Sequence, residues 1–221
     1  MNNINRVLLV AVISLWSLGA NAQAQFGIRG GLNFSNQLEK DDNQTYSSDN
    51  SARVGFNAAV LLDYRIWDIF SVETSVMMST KGFTRNTTTG LTNTETLVKL
   101  LYLDIPINAK VTLGLGSNFS VFGAVGPNFG IGMSGTSEST TTIANITSST
   151  DSAIEWGQDE LNDDLNKLDV GLTAGGGIGI KSFQIGGYYD FSLLNVSPRS
   201  KNGYRVKNQV FRFSVAYLFG E

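Results

Sequence analysis

Two carboxylates, Glu73 and Asp104, stand in segments of alternating polarity and are the residues closest in type to an acid–base pair. Acid–base work alone asks for little more than that. Nucleophilic mechanisms of the Ser-His or Asp-His kind need an imidazole base, and histidine is absent from all 221 residues. Cysteine is absent too, which removes thiolate chemistry and thiolate metal sites. Glu73 and Asp104 also have company. Arg29, Asp63, Lys110, Asp190 and Arg212 occupy the same polar face of similar segments. Mixed charges on one face read as a charge-compensating structural network, because such networks form wherever several ionisable groups are buried together. No catalytic, cofactor-binding or metal-ligating residue is assigned, no cofactor is expected, and the chain is read as non-enzymatic.

A second concentration of charge lies in Asp151, Glu155, Asp159, Glu160, Asp163, Asp164 and Asp169, set against Lys167. Carboxylate oxygens suit Ca²⁺, but the spacing matches no EF-hand loop. Leu161, Leu165 and Leu168 recur at helical spacing, which allows a short amphipathic helix. A solvated surface segment is the simpler reading.

The elements that must hold these residues have a period of two. In Leu101–Val111, Leu101, Leu103, Ile105, Ile107, Ala109 and Val111 are apolar, while Tyr102, Asp104, Pro106, Asn108 and Lys110 form the other face. That length matches a tilted strand crossing a bilayer, ~9–11 residues. Similar strands are expected over about 25–35, 52–65, 69–82, 119–133, 168–180, 183–194 and 208–219. Polar loops are expected at about 36–51, 84–96, 134–167 and 195–207, with Ser134–Thr150 read as mobile. Long and short connections alternate, and the strand count is even. Both are properties of up-and-down barrels in an outer membrane. The expected fold is therefore all-β: an eight-stranded antiparallel up-and-down transmembrane β-barrel forming one domain over residues 25–221.

The N-terminus precedes this domain. Arg6 is followed by the apolar run Val7–Leu18 and by small residues, as in a cleaved secretory signal. Cleavage after Ala22 or after Ala24 fits equally. A net charge of −3 gives no footing for a nucleic-acid partner.

The faces decide the solvent. If the charged face met lipid, each basic residue near the midplane would cost roughly 2–4 kcal/mol. Three of them would cost on the order of 10 kcal/mol, comparable to the stability of a domain. In a membrane, Arg29, Lys110 and Arg212 must point inward, neutralised by several of Asp63, Glu73, Asp104 and Asp190. Eight strands enclose a space that side chains fill, so a polar, filled lumen is expected and not an open pore. Outward aromatics group near strand ends as interfacial girdles: Phe26, Tyr64, Phe119, Phe183, Tyr217 and Phe219 at one end, Phe34, Phe56, Phe129, Phe191 and Phe211 at the other. The rival is a secreted, lipocalin-like barrel with its apolar face around a ligand. Small residues such as Gly31, Gly55, Ala124 and Gly130 on the polar face argue against it. Pro106 removes a ladder donor and predicts a bulge or a missing hydrogen bond.

Three stretches carry a family resemblance: QFGIRGGLNFS at Gln25–Ser35, YLDIPINAKV at Tyr102–Val111, and VFRFSVAYLF at Val210–Phe219. They resemble the PorT-family outer-membrane β-barrels of Bacteroidetes-type bacteria. The resemblance implies a multi-pass barrel in the outer membrane with outer-membrane lipid around it, and the alternation of short periplasmic turns with long outer loops puts both termini in the periplasm. The resemblance also implies insertion by the barrel-assembly machinery, no catalytic role for these motifs, and a link to protein secretion. Three roles stay open from sequence: a structural or interaction barrel that meets a protein partner through its outer loops, a small-solute channel, or a soluble ligand-binding barrel.

Overall fold

The computed structural model describes residues 23–144 and 146–219. The expected signal peptide lies, up to residue 22, outside them. Nine strands follow in order: β1 (Ala24–Lys40), β2 (Asn50–Arg65), β3 (Phe70–Thr89), β4 (Thr92–Gly114), β5 (Phe119–Ile143), β6 (Ile146–Ala153), β7 (Leu168–Ile180), β8 (Phe183–Ser192) and β9 (Arg205–Phe219). All pairings are antiparallel. β1 pairs with β2 on one side and with β9 on the other, from Phe26↔Phe219 to Lys40↔Arg205. Because β4 also pairs with β5, and β5 with β7, the sheet closes on itself. The ring is β1–β2–β3–β4–β5–β7–β8–β9. β6 stands outside it and pairs with β5 alone.

Closure satisfies every strand edge inside a bilayer, where no water can do so. The outward face is apolar: Ile28, Val54, Val60, Val76, Val125, Ile131, Phe213 and Val215 are all exposed. An apolar band of this extent around a whole barrel belongs in lipid, not in water. It excludes the lipocalin-like arrangement, since the charged face is the inner one. Phe183 packs edge-on against Tyr217 at 5.0 Å, and Tyr217 against Phe219 at 5.1 Å. These rings sit at the end of the barrel with the short turns.

The strands run further than composition suggests. Most of 84–96, expected as a loop, is a hairpin of β3 and β4 turning at Gly90, whose φ of +61° is open to glycine. Likewise 134–167 is no single loop: β5 continues to Ile143, and β6 folds back along it from Thr136↔Ala153 to Ile143↔Ile146. The segment read as mobile is thus mostly hairpin. The physical reason is threonine. It is polar enough to look like loop, yet β-branched and suited to a pleated surface. Its hydroxyls pair across strands, Thr94 with Thr141 at 3.3 Å and Thr142 with Thr147 at 3.1 Å. The helix allowed around Leu161–Leu168 does not form; that stretch is turns, with Trp156 bridged to Leu165. The remaining loops are shorter than expected, because β1 extends to Lys40 and β9 begins at Arg205.

Pro106 interrupts the ladder without a bulge. β3 and β4 lose pairing between Thr74↔Ile107 and Met77↔Asp104, and the register is the same on both sides. The Thr74 hydroxyl donates to the Pro106 carbonyl at 2.9 Å. True shifts occur elsewhere. One lies between Ala52 and Asn57, where the Thr80 hydroxyl takes the Phe56 N–H at 2.7 Å in place of a ladder partner. The other is at Leu101/Tyr102, where Met133 is the extra residue on β5.

The connection after β1 is held by one carboxylate. Asp41 accepts from the Tyr46 hydroxyl at 2.7 Å and from the N–H groups of Gln44 and Asn43 at 2.8 and 2.7 Å. The Tyr46 bond is the largest cause that holds its pKa below the ordinary value, followed by the two N–H bonds. A carboxylate whose folded pKa is depressed stabilises the loop above its unfolded value, ~3.9. That contribution is lost as pH falls through the lower, folded value. The amide resonances of Asn43 and Gln44 are therefore expected to titrate by NMR with a midpoint below that of a free aspartate. A midpoint at or above it removes the proposed anchoring.

Candidate functional site

Alternation sends one polar side chain inward from nearly every strand, and the lumen collects them. Arg29, Asp63, Glu73, Asp104, Lys110, Asp190 and Arg212 are all buried. Asp63 and Glu73 are direct cross-strand partners on β2 and β3, two like charges side by side. Lys110 from β4 bridges them at 2.7 and 2.8 Å and also donates to Gln184 at 3.0 Å. Arg29 from β1 completes the layer, donating to Glu73 at 2.8 Å.

A second layer lies deeper toward the long connections. Arg212 from β9 pairs with Asp190 of β8, which also accepts from the Thr173 hydroxyl at 2.5 Å. The guanidiniums of Arg29 and Arg212 both lie over the Tyr188 ring, at 4.9 and 5.0 Å from its centroid. Asn33, Asn57, Ser79 and Ser214 are joined by hydrogen bonds at 2.7–3.1 Å and fill the rest.

Asp104 joins neither layer. Its partner is Lys81 at 3.0 Å, and Lys81 also reaches Asp169 at 3.2 Å. The Lys81 ammonium lies 4.2 Å from the centroid of the Tyr102 ring. Lys81 and Asp169 were not assigned to the network from sequence, although the signal was present. Lys81 has the same parity on β3 as Glu73, and Asp169 the same parity on β7 as Thr173. Phe122 was passed over too, and the Lys110 ammonium lies 4.9 Å from its ring centroid.

Both ends of this column differ from the middle. Above Lys81 the lumen is closed by an apolar cluster of Phe83, Val98, Leu100, Tyr102, Leu165, Val196 and Val206, with Ile154, Trp156 and Tyr204 packed on it. Leu165 and Trp156 come from the segment after β6, which therefore folds into the mouth as a cap. The Gly132 N–H donates to the Lys167 carbonyl at 2.7 Å, and the Asn166 N–H to the Val196 carbonyl at 2.8 Å. At the short-turn end the lumen opens as a polar vestibule of about 620 Å³, lined among others by Gln25, Arg65, Asp68, Ser117 and Lys181. Its floor is the Asp63–Gln184 side of the first ionic layer. Chemically the arrangement is a plug. Among the described residues the buried cations each have a carboxylate partner, and of the network's carboxylates Asp63 borders the vestibule, where Lys110 holds it at 2.7 Å.

Fold and lumen together define a small membrane-spanning β-barrel with a closed, charge-filled interior. The chain belongs to the outer membrane protein beta-barrel domain family, whose model matches residues 20–197, and its place is the outer membrane. Comparison with curated proteins finds no match. Solved structures similar to it include Ail, the attachment invasion locus protein of Yersinia pestis. It is 15% identical with a TM-score of 0.36, over 89% of this chain and 99% of that one. Neisserial surface protein A is 12% identical with a TM-score of 0.43, over 88% and 97%. OprG of Pseudomonas aeruginosa is 12% identical with a TM-score of 0.43, over 92% and 99%. Likenesses this distant say nothing of what this chain binds.

Proposed function

We propose that the protein is a non-enzymatic envelope barrel that acts by engaging a protein partner through the sheet projecting from its long-connection end. The observation that carries this reading is β6. Beyond the barrel, β3, β4, β5 and β6 continue as an open sheet, and β6 has no neighbour on its far side among the described residues. All eight residues Ile146–Ala153 are exposed, with Asp151 as their one charge. An edge so lightly guarded is a template for strand addition, in which an extended segment of a partner takes up the free N–H and C=O groups. The short turns face the periplasm and the long connections face outward, as the barrel rule has it. Both termini are then periplasmic, and the mature domain starts after Ala22 or Ala24.

The resemblance of Gln25–Ser35 and Tyr102–Val111 to PorT-family barrels supports a finer reading, that the partner belongs to a secretion apparatus. The aromatic last strand supports recognition by the barrel-assembly machinery during insertion. The solute-channel alternative is opposed by the closed ion-paired layers and the apolar cap.

Two measurements test the reading. A photo-crosslinking residue at Ser148 is expected to capture an envelope protein in the producing cell, while the same probe at lipid-facing Val60 does not. Planar-bilayer recordings are expected to show no stable openings above background. The absence of an adduct at Ser148 overturns the docking role, and stable openings favour the channel.

A further inference from the structure

The buried charges of the lumen do not balance. Four cations, Arg29, Lys81, Lys110 and Arg212, face five carboxylates, Asp63, Glu73, Asp104, Asp169 and Asp190, among the described residues. The surplus can be located. Arg29 and Lys110 match Asp63 and Glu73, and Arg212 matches Asp190. Lys81 alone serves both Asp104 and Asp169. One unit of negative charge is therefore left in that corner, in a medium where an unbalanced charge is costly.

The same corner holds oxygens without donors. Lys81 uses Asp104 Oδ1 and Asp169 Oδ2, and Asn208 also donates to Asp169 Oδ2, at 2.8 Å. Asp104 Oδ2 and Asp169 Oδ1 are left bare, as is Asn128 Oδ1. These residues share one inward row or its neighbour. Asp104 pairs with Gly130, Gly130 with Asp169, and Asn128 lies two residues along β5. A Cβ at Gly130 would come within 2.5 Å of Asp104 Oδ1 and 3.4 Å of the Asp169 Cβ, so the missing side chain leaves Asp104 room to lean toward Asp169. Asn128 is 5% exposed and Asp169 4%. Both line a void of about 10 Å³ together with Lys81, Gly171, Asp190, Ser192 and Asn208.

We propose that this void binds one small monovalent cation, of the size of sodium, held by Asp169 Oδ1 and Asn128 Oδ1 and neutralising the second carboxylate of the Lys81 corner. The charge selects the ligand. A monovalent ion brings the lumen to zero, whereas a divalent ion would leave it positive. A water would satisfy the oxygens without touching the imbalance. A proton on one carboxylate would leave Asn128 Oδ1 bare and the void empty. The void has the room of one water-sized occupant, ~10–15 Å³. Hard oxygen donors are the set that alkali and alkaline-earth cations take.

The test uses the mature chain refolded from urea into phosphatidylcholine vesicles, in sodium chloride or in choline chloride of equal ionic strength. Choline is too large for the void. The urea midpoint is expected to be higher in sodium and to saturate with its concentration. At ten times the dissociation constant, the unfolding equilibrium constant falls about tenfold. Asp104→Asn, which removes the surplus charge, and Asn128→Ala, which removes an oxygen outside every ion pair, are each expected to lose the difference between the two salts. That difference is the readout, so a change in basal stability does not blur it. Equal midpoints in both salts mean that the void holds only water, and the proposal fails. It also fails if acid raises the midpoint in either salt, because the neutralising charge is then a proton. Greater stabilisation by calcium than by sodium overturns the monovalent assignment.

Discussion

Lys110→Met is expected to destabilise the barrel by about 3–5 kcal/mol, the range for removing one partner of a buried ion pair. Lys110 is 1% exposed and makes three charge-assisted or polar bonds across the lumen, to Asp63, Glu73 and Gln184. Methionine keeps the length and the apolar stem while deleting the ammonium. Asp63 and Glu73, cross-strand neighbours, are then left facing each other with only Arg29 to offset them. Adding Asp63→Asn restores neutrality, because Arg29 and Glu73 still pair. The double variant is expected to recover most of the loss. Urea unfolding in lipid vesicles reads both, and the non-additivity is the decisive quantity. If the double variant is as unstable as Lys110→Met alone, the bridge between two carboxylates is not what Lys110 contributes.

Trp156→Ala is expected to act on the cap and not on the barrel. The indole packs edge-on to Tyr102 with centroids 5.6 Å apart, and it lies so close over Gly132 that a Cβ there would sit 2.2 Å from the ring. Removing a half-buried ring of this size costs about 2–4 kcal/mol, somewhat less than the ~3–5 kcal/mol of a fully buried core tryptophan. The loss falls on the segment from Ile154 to Lys167, whose ties to the barrel are few. Hydrogen exchange is expected to quicken at the amides of Gly132 and Asn166, which donate to Lys167 and Val196, and to stay slow along β1 and β9. No conductance is expected, because the ionic layers below remain closed. Uniform exchange across the whole barrel would show that cap and barrel unfold together.

The two expectations separate the parts of the lumen by their chemistry. The ionic layers are held by charge, so isosteric neutral variants test them. The cap is held by apolar contact and shape, so truncation tests it. Neither variant touches β6, so the proposed docking edge should keep its crosslink in both. That makes partner capture and barrel integrity independent measurements.

The strand class, the closure and the inward set of charges were legible in the sequence, because a period of two carries orientation as well as secondary structure. Once Arg29, Asp63, Glu73, Asp104, Lys110, Asp190 and Arg212 are placed on one face, the cost of basic residues in lipid decides which way that face points. Lys81 could have been found by the same parity, since it lies inside the expected strand 69–82, and Asp169 was counted with the acidic segment before it. The hairpins over 84–96 and 134–153 were hidden because threonine serves loops and strands alike. What alternation cannot carry is pairing across the lumen. Which carboxylate meets which cation depends on the barrel's stagger, and two register shifts alter it. The extra residue at Met133 moves the inward parity of β5 from Gly132 to Gly135, so the small residues that admit Ile154 and Trp156 fall off any single period. The acidic segment after β6 shows the limit. Its charges mark it as solvated, yet Trp156 and Leu165 turn back into the mouth and seal it, because an open apolar cluster above the lumen needed cover that only the closed barrel could present.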